Sequence, residues 1–335
     1  MKAEQYRTWH RPMLVCAALM TVMTVVSAVG LVVDDRSIGG APAWLKPFKF
    51  AVSIAVYCVT WAWLVSLLRT RRRLAHRVSN VLVGVLVLEY TIIVIQVLRG
   101  TSSHFNFTTP LNAGLVTLMG ISITLLWVGT LVLTLLLLRT PIAEAADRWA
   151  VRLGALISLA GLGLGGLMTS PTDEQLTQEE QSTIGRIIGA HTVGLPDGGP
   201  GMPITGWSTV GGDLRIPHFV GMHALQVLPL LAILLPLLAR RWARLHDDVV
   251  RGRLVLVAGS SYAAVLALLT WQALRGQPLT SPDALTLTVS FALMALSAVG
   301  VAWALRTRTP RDAPNDTDEQ RPTSSSAQEL QHRDA

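Results

Sequence analysis

Charge is scarce in this chain. Only 15% of its 335 residues are Asp, Glu, Lys or Arg, against about 25% in an average soluble domain. That leaves too few charges to coat a soluble protein of this length. Cysteine is scarcer still: Cys16 and Cys58 both sit in apolar runs, which supports neither a disulfide framework nor a cysteine zinc site. Of 28 basic residues only Lys2, Lys46 and Lys49 are lysine, and the net charge is +7. Such a balance suits a nucleic-acid partner only if the charge is gathered in one patch.

What the chain has in excess is apolar sequence, 51% of its residues. Runs of about 20 apolar residues predict eight membrane spans, over 13–33, 51–68, 79–98, 111–138, 153–169, 218–238, 254–274 and 284–305. Most hold no charge, as the cost of burying one in hydrocarbon demands. Only helices satisfy every backbone group within such runs, so the expected class is an all-α integral membrane protein. The first run is too long for a signal-peptide core, and Ala41–Ala43, though cleavage-like, lies well beyond it, so the first helix is expected to stay. With the N-terminus cytoplasmic, the inner segments carry 21 Lys and Arg and the outer segments seven (Arg36, Lys46, Lys49, Arg99, Arg186, Arg215 and Arg275). This bias fixes both termini in the cytoplasm of a bacterial-type plasma (inner) membrane. It also accounts for the basic charge by topology, with no nucleic acid. Residues 310–335, rich in Asp, Gln, Ser, Pro and Arg, read as a disordered cytoplasmic tail.

Gln96-Val-Leu-Arg99-Gly100 closes the third span and Gln272-Ala-Leu-Arg275-Gly276 the seventh. Lys46-Pro-Phe-Lys49-Phe50 and Arg215-Ile-Pro-His218-Phe219 precede the second and sixth. The chain therefore divides into a first four-helix half (1–150) and a second (151–309), two copies of one bundle in the same orientation, a form of internal repeat known among membrane proteins.

The outer loop 170–217 is far longer than its neighbours. It opens with Asp173, Glu174, Glu179 and Glu180, a candidate surface helix. It continues through glycines and prolines from Gly189 to Pro203, then Trp207 and Asp213. Such composition specifies turns, and a folded lid over the outer mouth of the bundle is expected. Four of eight histidines lie on this side, His104, His191, His218 and His223, while His10, His76, His246 and His332 fall in cytoplasmic basic segments and read as solvated. Neutral imidazole ligates haem iron, copper, zinc and non-haem iron. His218 and His223 stand about 140° and roughly 7.5 Å apart on a helix, so they are not a same-face pair; His223 lies deeper and is the better ligand candidate.

Glu89 is the one carboxylate well inside a span, and an intramembrane ionisable group is a functional candidate. It can be a hydrogen-bonding strut, a proton relay, or part of a polar pocket with Gln96. Arg99 and Arg275 either snorkel to headgroups or clamp an anion such as a carboxylate. Asp197 and Asp213 suit Asx turns or ion pairs with Arg215 or Arg99.

Together these features resemble the heme A synthase family. The resemblance lies in eight helices as two four-helix halves. It extends to the loop Gly189-x4-Gly194-Leu195-x2-Gly198, followed by Pro203, Trp207 and a helix bearing His218 and His223. It spans the layout of the whole chain, with a short motif, and implies a haem held by imidazole. Carried over by residue, it reaches His223 or His218 as one axial ligand. Spans seven and eight hold no histidine to match the family's pair, and Lys49 stands where His218 stands in the second half. A second ligand would come from His191 or His104, and the resemblance implies a relative or analogue rather than the synthase.

The first reading is therefore an oxidoreductase with haem b or a transition metal near the outer leaflet, its ligands drawn from His104, His191, His218 and His223. Arg99 and Arg275 would balance anionic groups, Glu89 would be the catalytic carboxylate, and a quinone or other lipophilic substrate would enter from the lipid bilayer. Two alternatives are a proton-coupled transporter using Glu89 and a non-catalytic protein whose outer loop binds a partner.

Overall fold

The computed structural model describes residues 8–172, 175 and 186–306. Among these, eight helices are long and apolar enough to cross a membrane: α1 (Arg11–Val33), α2 (Leu45–Leu67), α3 (Arg72–Leu98), α4 (Pro110–Leu138), α5 (Ala145–Leu164), α6 (Arg215–Leu238), α7 (Asp248–Leu274) and α8 (Ala284–Ala304). The protein is thus all-helical and of multi-pass membrane type. The expected surface helix near Glu179 and the tail 310–335 lie outside the described residues.

Each helix coincides with an apolar run, but several begin earlier. Hydropathy marks where side chains leave hydrocarbon, whereas backbone hydrogen bonding continues into the interface. So α2 starts at Leu45 rather than 51 and carries Lys46 and Lys49 in its first two turns. In the same way α3 starts at Arg72, and α5 at Ala145. Capping fixes other starts: the Thr109 hydroxyl accepts from the Asn112 amide, Asp247 from Val249 and Asp283 from Thr286, satisfying donors the first turn leaves open. His10, expected to be solvated, is buried instead; its Nδ1 accepts from the Met13 amide at 3.4 Å and its ring lies 4.9 Å from that of His76.

The packing partners recur. Among α1–α4, α1 packs on α2, α3 on both, and α4 on α3; among α5–α8, α5 packs on α6, α7 on both, and α8 on α7. α4 meets α5. One core is centred on Met13, Met20, Trp61, Leu64, Leu82 and Leu133, another on Ala150, Ala224, Leu228, Leu235 and Val255. Outward faces are equally apolar: Val32 is 81% exposed and Val299 67%. Only a lipid surround makes faces of this size compatible with a stable chain. Inside, hydroxyls pair across helices, Ser27 with Tyr90 at 3.1 Å and Tyr57 with Thr130 at 2.7 Å, the polar contacts that hold apolar bundles in register.

Three short antiparallel ladders shape the loops between α1 and α2, α3 and α4, and α5 and α6. Strands β1 (Ser37–Ile38) and β2 (Ala41–Pro42) pair in the α1–α2 loop. Strand β3 (Asn106–Phe107) in the α3–α4 loop pairs with β4 (Arg186–Ile187) in the α5–α6 loop, with Asn106 opposite Ile187. Strands β5 (Thr192–Val193) and β6 (Gly212–Asp213) close the α5–α6 loop on itself, with Thr192 opposite Asp213. That loop is therefore a folded lid over residues 186–214, clipped to the α3–α4 loop.

Candidate functional site

The lid is fastened at its C-terminal end by Asp213, whose carboxylate is fully buried. It accepts from the Ser208 amide at 2.7 Å and from the Arg215 amide at 3.0 Å, and the Arg215 guanidinium donates to it at 2.6 and 2.9 Å. Arg215 also donates to the Gly206 carbonyl at 2.7 Å, while Lys49 of α2 donates to the adjacent Thr205 carbonyl at 2.9 Å. Two cations from two helices thus converge on one dipeptide of the lid.

His104, His191, His218 and His223 all belong to this layer. The Phe105 ring lies between two of them, 6.1 Å from His104 and 5.0 Å from His191. His191 holds the lid: its Nδ1 meets Asp197 Oδ2 at 2.6 Å, and Asp197 accepts from the His191 and Thr192 amides. Burial works against the Asp197 charge, yet the hydrogen bonds from His191 prevail and hold the carboxyl well below the usual carboxylate range. Burial lowers the His191 imidazole, with the Arg215 and Lys46 charges adding to it against the pull of Asp197. His104 is lowered further by burial, then by the Lys46 charge and by His191. Both imidazoles are neutral at pH 7.

The two helix-borne histidines are held by different elements. His218 donates from Nδ1 to the Gly161 carbonyl of α5 at 2.8 Å. That contact needs α5 and α6 to touch backbone to backbone, and they do so at two glycines: a Cβ on Gly161 would lie 2.4 Å from the Gly221 backbone. His223 donates from Nδ1 to Gln226 Oε1 at 3.2 Å, and Gln226 donates to the Thr60 hydroxyl of α2 at 3.1 Å. Its Nε2 is buried without a partner among the described residues. Its ring packs on Phe219 at 4.3 Å, which in turn packs on Trp207 of the lid at 5.7 Å. With Nδ1 donating, Nε2 carries the lone pair, the form in which imidazole binds a metal. Among the described residues, no group of three or more His, Cys, Asp or Glu side chains is placed to hold a metal ion.

Glu89 is 1% exposed and neither carboxyl oxygen has a hydrogen-bond partner among the described residues. The pocket with Gln96 does not form, because Gln96 turns outward into a knot at the helix end. Gln96 Nε2 donates to the Ser102 carbonyl and to Asn112, and Arg99 donates to Gln96 Oε1 at 2.6 Å and to Asn112 Oδ1 at 2.9 Å. The α7 end repeats it. Gln272 donates to the Pro278 carbonyl, also six residues on, and Arg275 reaches Thr286 at 3.5 Å and Asp283 at 2.6 Å. Gly100 and Gly276 both have φ of +70°, a left-handed turn that glycine enters without strain. Arg99 and Arg275 are thus engaged by the start of the following helix.

Lys46, half-buried one turn above Lys49, was legible as one of three lysines, as an outer cation and in the Lys46-Pro-Phe-Lys49-Phe50 motif, but not as a member of a site. It lies within electrostatic range of Lys49, Arg215, Asp197 and Glu89, and its charge is felt at His104 and His191. It is where the lid, the α3–α4 loop and the buried acid come together. A pair of lysines three residues apart at the start of an apolar run, in a chain with a single other lysine, is the signal that could have found it. Comparison with protein-family models, curated proteins and solved structures finds no match to this chain.

Proposed function

We propose that this protein is a membrane oxidoreductase that holds a haem b near the outer leaflet through His223. The observation that carries the reading is the buried, unpartnered Nε2 of His223, since a buried polar atom without a partner calls for one. Its Nδ1 proton is fixed by Gln226, itself fixed by Thr60, the outer-shell support expected behind an axial imidazole. The donor set suits a group needing one or two imidazoles, with His218, His191 and His104 the candidates for the second. A transition metal needing three clustered protein ligands does not fit the described residues. A bound haem b supplies one-electron chemistry toward a quinol or other lipophilic substrate reaching it from the bilayer. The chain's own part is to present a neutral imidazole, to keep Phe219 against its ring with Trp207 behind it, and to exclude water with the lid.

The same proposal includes the orientation and the duplication. The excess of arginine in one set of loops supports cytoplasmic termini and an extracytoplasmic lid. The recurring packing partners and the twin Gln–Arg–Gly knots support two parallel four-helix repeats, and the reading accords with the resemblance to the heme A synthase family. An absorption spectrum with iron analysis of the purified full chain tests the cofactor. A Soret band at one haem per chain, lost in His223→Ala, is expected; absence of both band and iron refutes it. Glu89, buried and unpartnered, favours a second reading, proton-coupled transport. Liposome uptake coupled to a proton gradient and abolished by Glu89→Gln would establish that reading instead.

A further inference from the structure

We propose that Lys46, Lys49, Arg215 and the Thr205 hydroxyl form a cradle for a phosphate group, the headgroup of an anionic phospholipid of the outer leaflet. This goes beyond the haem reading and rests only on the orientation proposed with it. Four observations converge. Lys49 and Arg215 donate to the adjacent carbonyls of Thr205 and Gly206, so their charges lie together, and these carbonyls are neutral. Lys46, one turn from Lys49, makes no hydrogen bond or ion pair with any described residue. On the residue whose carbonyl takes Lys49, Thr205 Oγ1 is buried and without a partner among the described residues, a hydroxyl able to donate to an oxyanion. Finally, α2 begins here, and its N-cap residue Trp44 does not cap it with a side chain, whereas the first amide of α6 is taken by Asp213. One positive helix end therefore adds to the three cations.

The pairing of the charges points to the ligand. Of the nearby carboxylates Asp213 is committed to Arg215 and Ser208, Asp197 is committed to His191, and Glu89 on α3 lies within electrostatic range of Lys46. Lys46 and Lys49 form no ion pair with any described residue, so the corner holds two lysine charges that a phosphodiester monoanion can pair. The cradle sits where two apolar helices emerge, beside the exposed Phe219 and the half-buried Trp207, the interfacial position of a lipid headgroup.

The test is titration of the full chain in detergent with dioctanoyl phosphatidylglycerol, dioctanoyl phosphatidylcholine and inorganic phosphate, read by native mass spectrometry. Phosphatidylglycerol is expected to bind at least tenfold more tightly than phosphatidylcholine. Lys46→Ala is expected to weaken it about tenfold, the effect of losing one charge-assisted contact. Lys46→Arg should retain binding, and Thr205→Val should weaken it severalfold. Arg36→Ala, on another outer loop, serves as the control for a general charge effect and should change nothing. Competition by inorganic phosphate at equal concentration would keep the cradle and assign it a soluble oxyanion. Equal binding of the two lipids, an unchanged Lys46→Ala, or an Arg36→Ala loss as large as that of Lys46→Ala would overturn it. Because Lys46 makes no hydrogen bond or ion pair with any described residue, the variant is expected to fold, which a thermal melt checks.

Discussion

The lid rests on a single carboxylate, and Asp213→Ala isolates it. The Asp213 side chain is inaccessible to solvent and binds two amides and one guanidinium, while Arg215 keeps 28% of its side chain accessible. Removing one partner of a fully buried ion pair costs about 3–5 kcal/mol. Water can reach part of Arg215, so the lower end, about 3 kcal/mol, applies. If that loss falls on lid opening, the open population rises about 150-fold. Where the lid recloses faster than it is cut, cleavage by a broad-specificity protease between residues 186 and 214 accelerates by the same factor. Asp213→Asn keeps an acceptor for one amide but loses the charge, and should give a smaller acceleration. The helices are followed separately by a thiol-reactive dye, because Cys16 and Cys58 are both buried between α1 and α2 and react only on unfolding of the bundle. The expectation is a large gain in lid cleavage with little change in the dye melt. Cleavage within threefold of the parent would refute the assignment of the lid to Asp213, and a melt falling in step would show that lid and bundle are one cooperative unit.

Gly161→Ala would place a methyl 2.4 Å from the Gly221 backbone, forcing α5 and α6 apart. A destabilisation of about 3 kcal/mol is expected in the dye melt, with none for Gly84→Ala, whose methyl meets open space. Arg99→Met leaves the buried Gln96 oxygen without its donor, while Asn112 keeps Gln96 Nε2, and should cost about 2 kcal/mol, whereas Arg275→Met, facing the exposed Asp283, should shift the melt less; equal shifts would refute the contrast. His104 is lowered by burial, with Lys46 of α2 and His191 of the lid facing it. Its unfolded form takes up protons first as pH falls, so stability is whole above about pH 6.5 and declines below it, by at most about 1.4 kcal/mol per pH unit. Melts between pH 7.5 and 5 should show that slope in the parent and a shallower one in His104→Asn.

Much of the fold was legible because lipid imposes one dominant rule. An apolar run of span length must be a helix, and all eight runs are. The ends were less legible, since α2 continues six residues beyond its apolar run and brings Lys46 and Lys49 onto the helix. Repetition of Gln-x-Leu-Arg-Gly was visible as letters, but its meaning was not: the two arginines lock the helix end to the next helix, a role that depends on Asn112 and Thr286 lying one loop away. For Asp197 and Asp213 the residue types offered turns or ion pairs, and only the folded lid selected His191 for one and Arg215 for the other.

By itself the sequence determined the class of the protein and the number of spans, because both depend on composition along the chain. Tertiary structure decided which charges meet. Arg215 is more than 160 residues from Lys46 and Lys49 along the chain, yet they share one corner because the lid folds back over the starts of α2 and α6. Electrostatics acts through space, and the scarcity of charge that marks this chain is what makes that one concentration of it stand out.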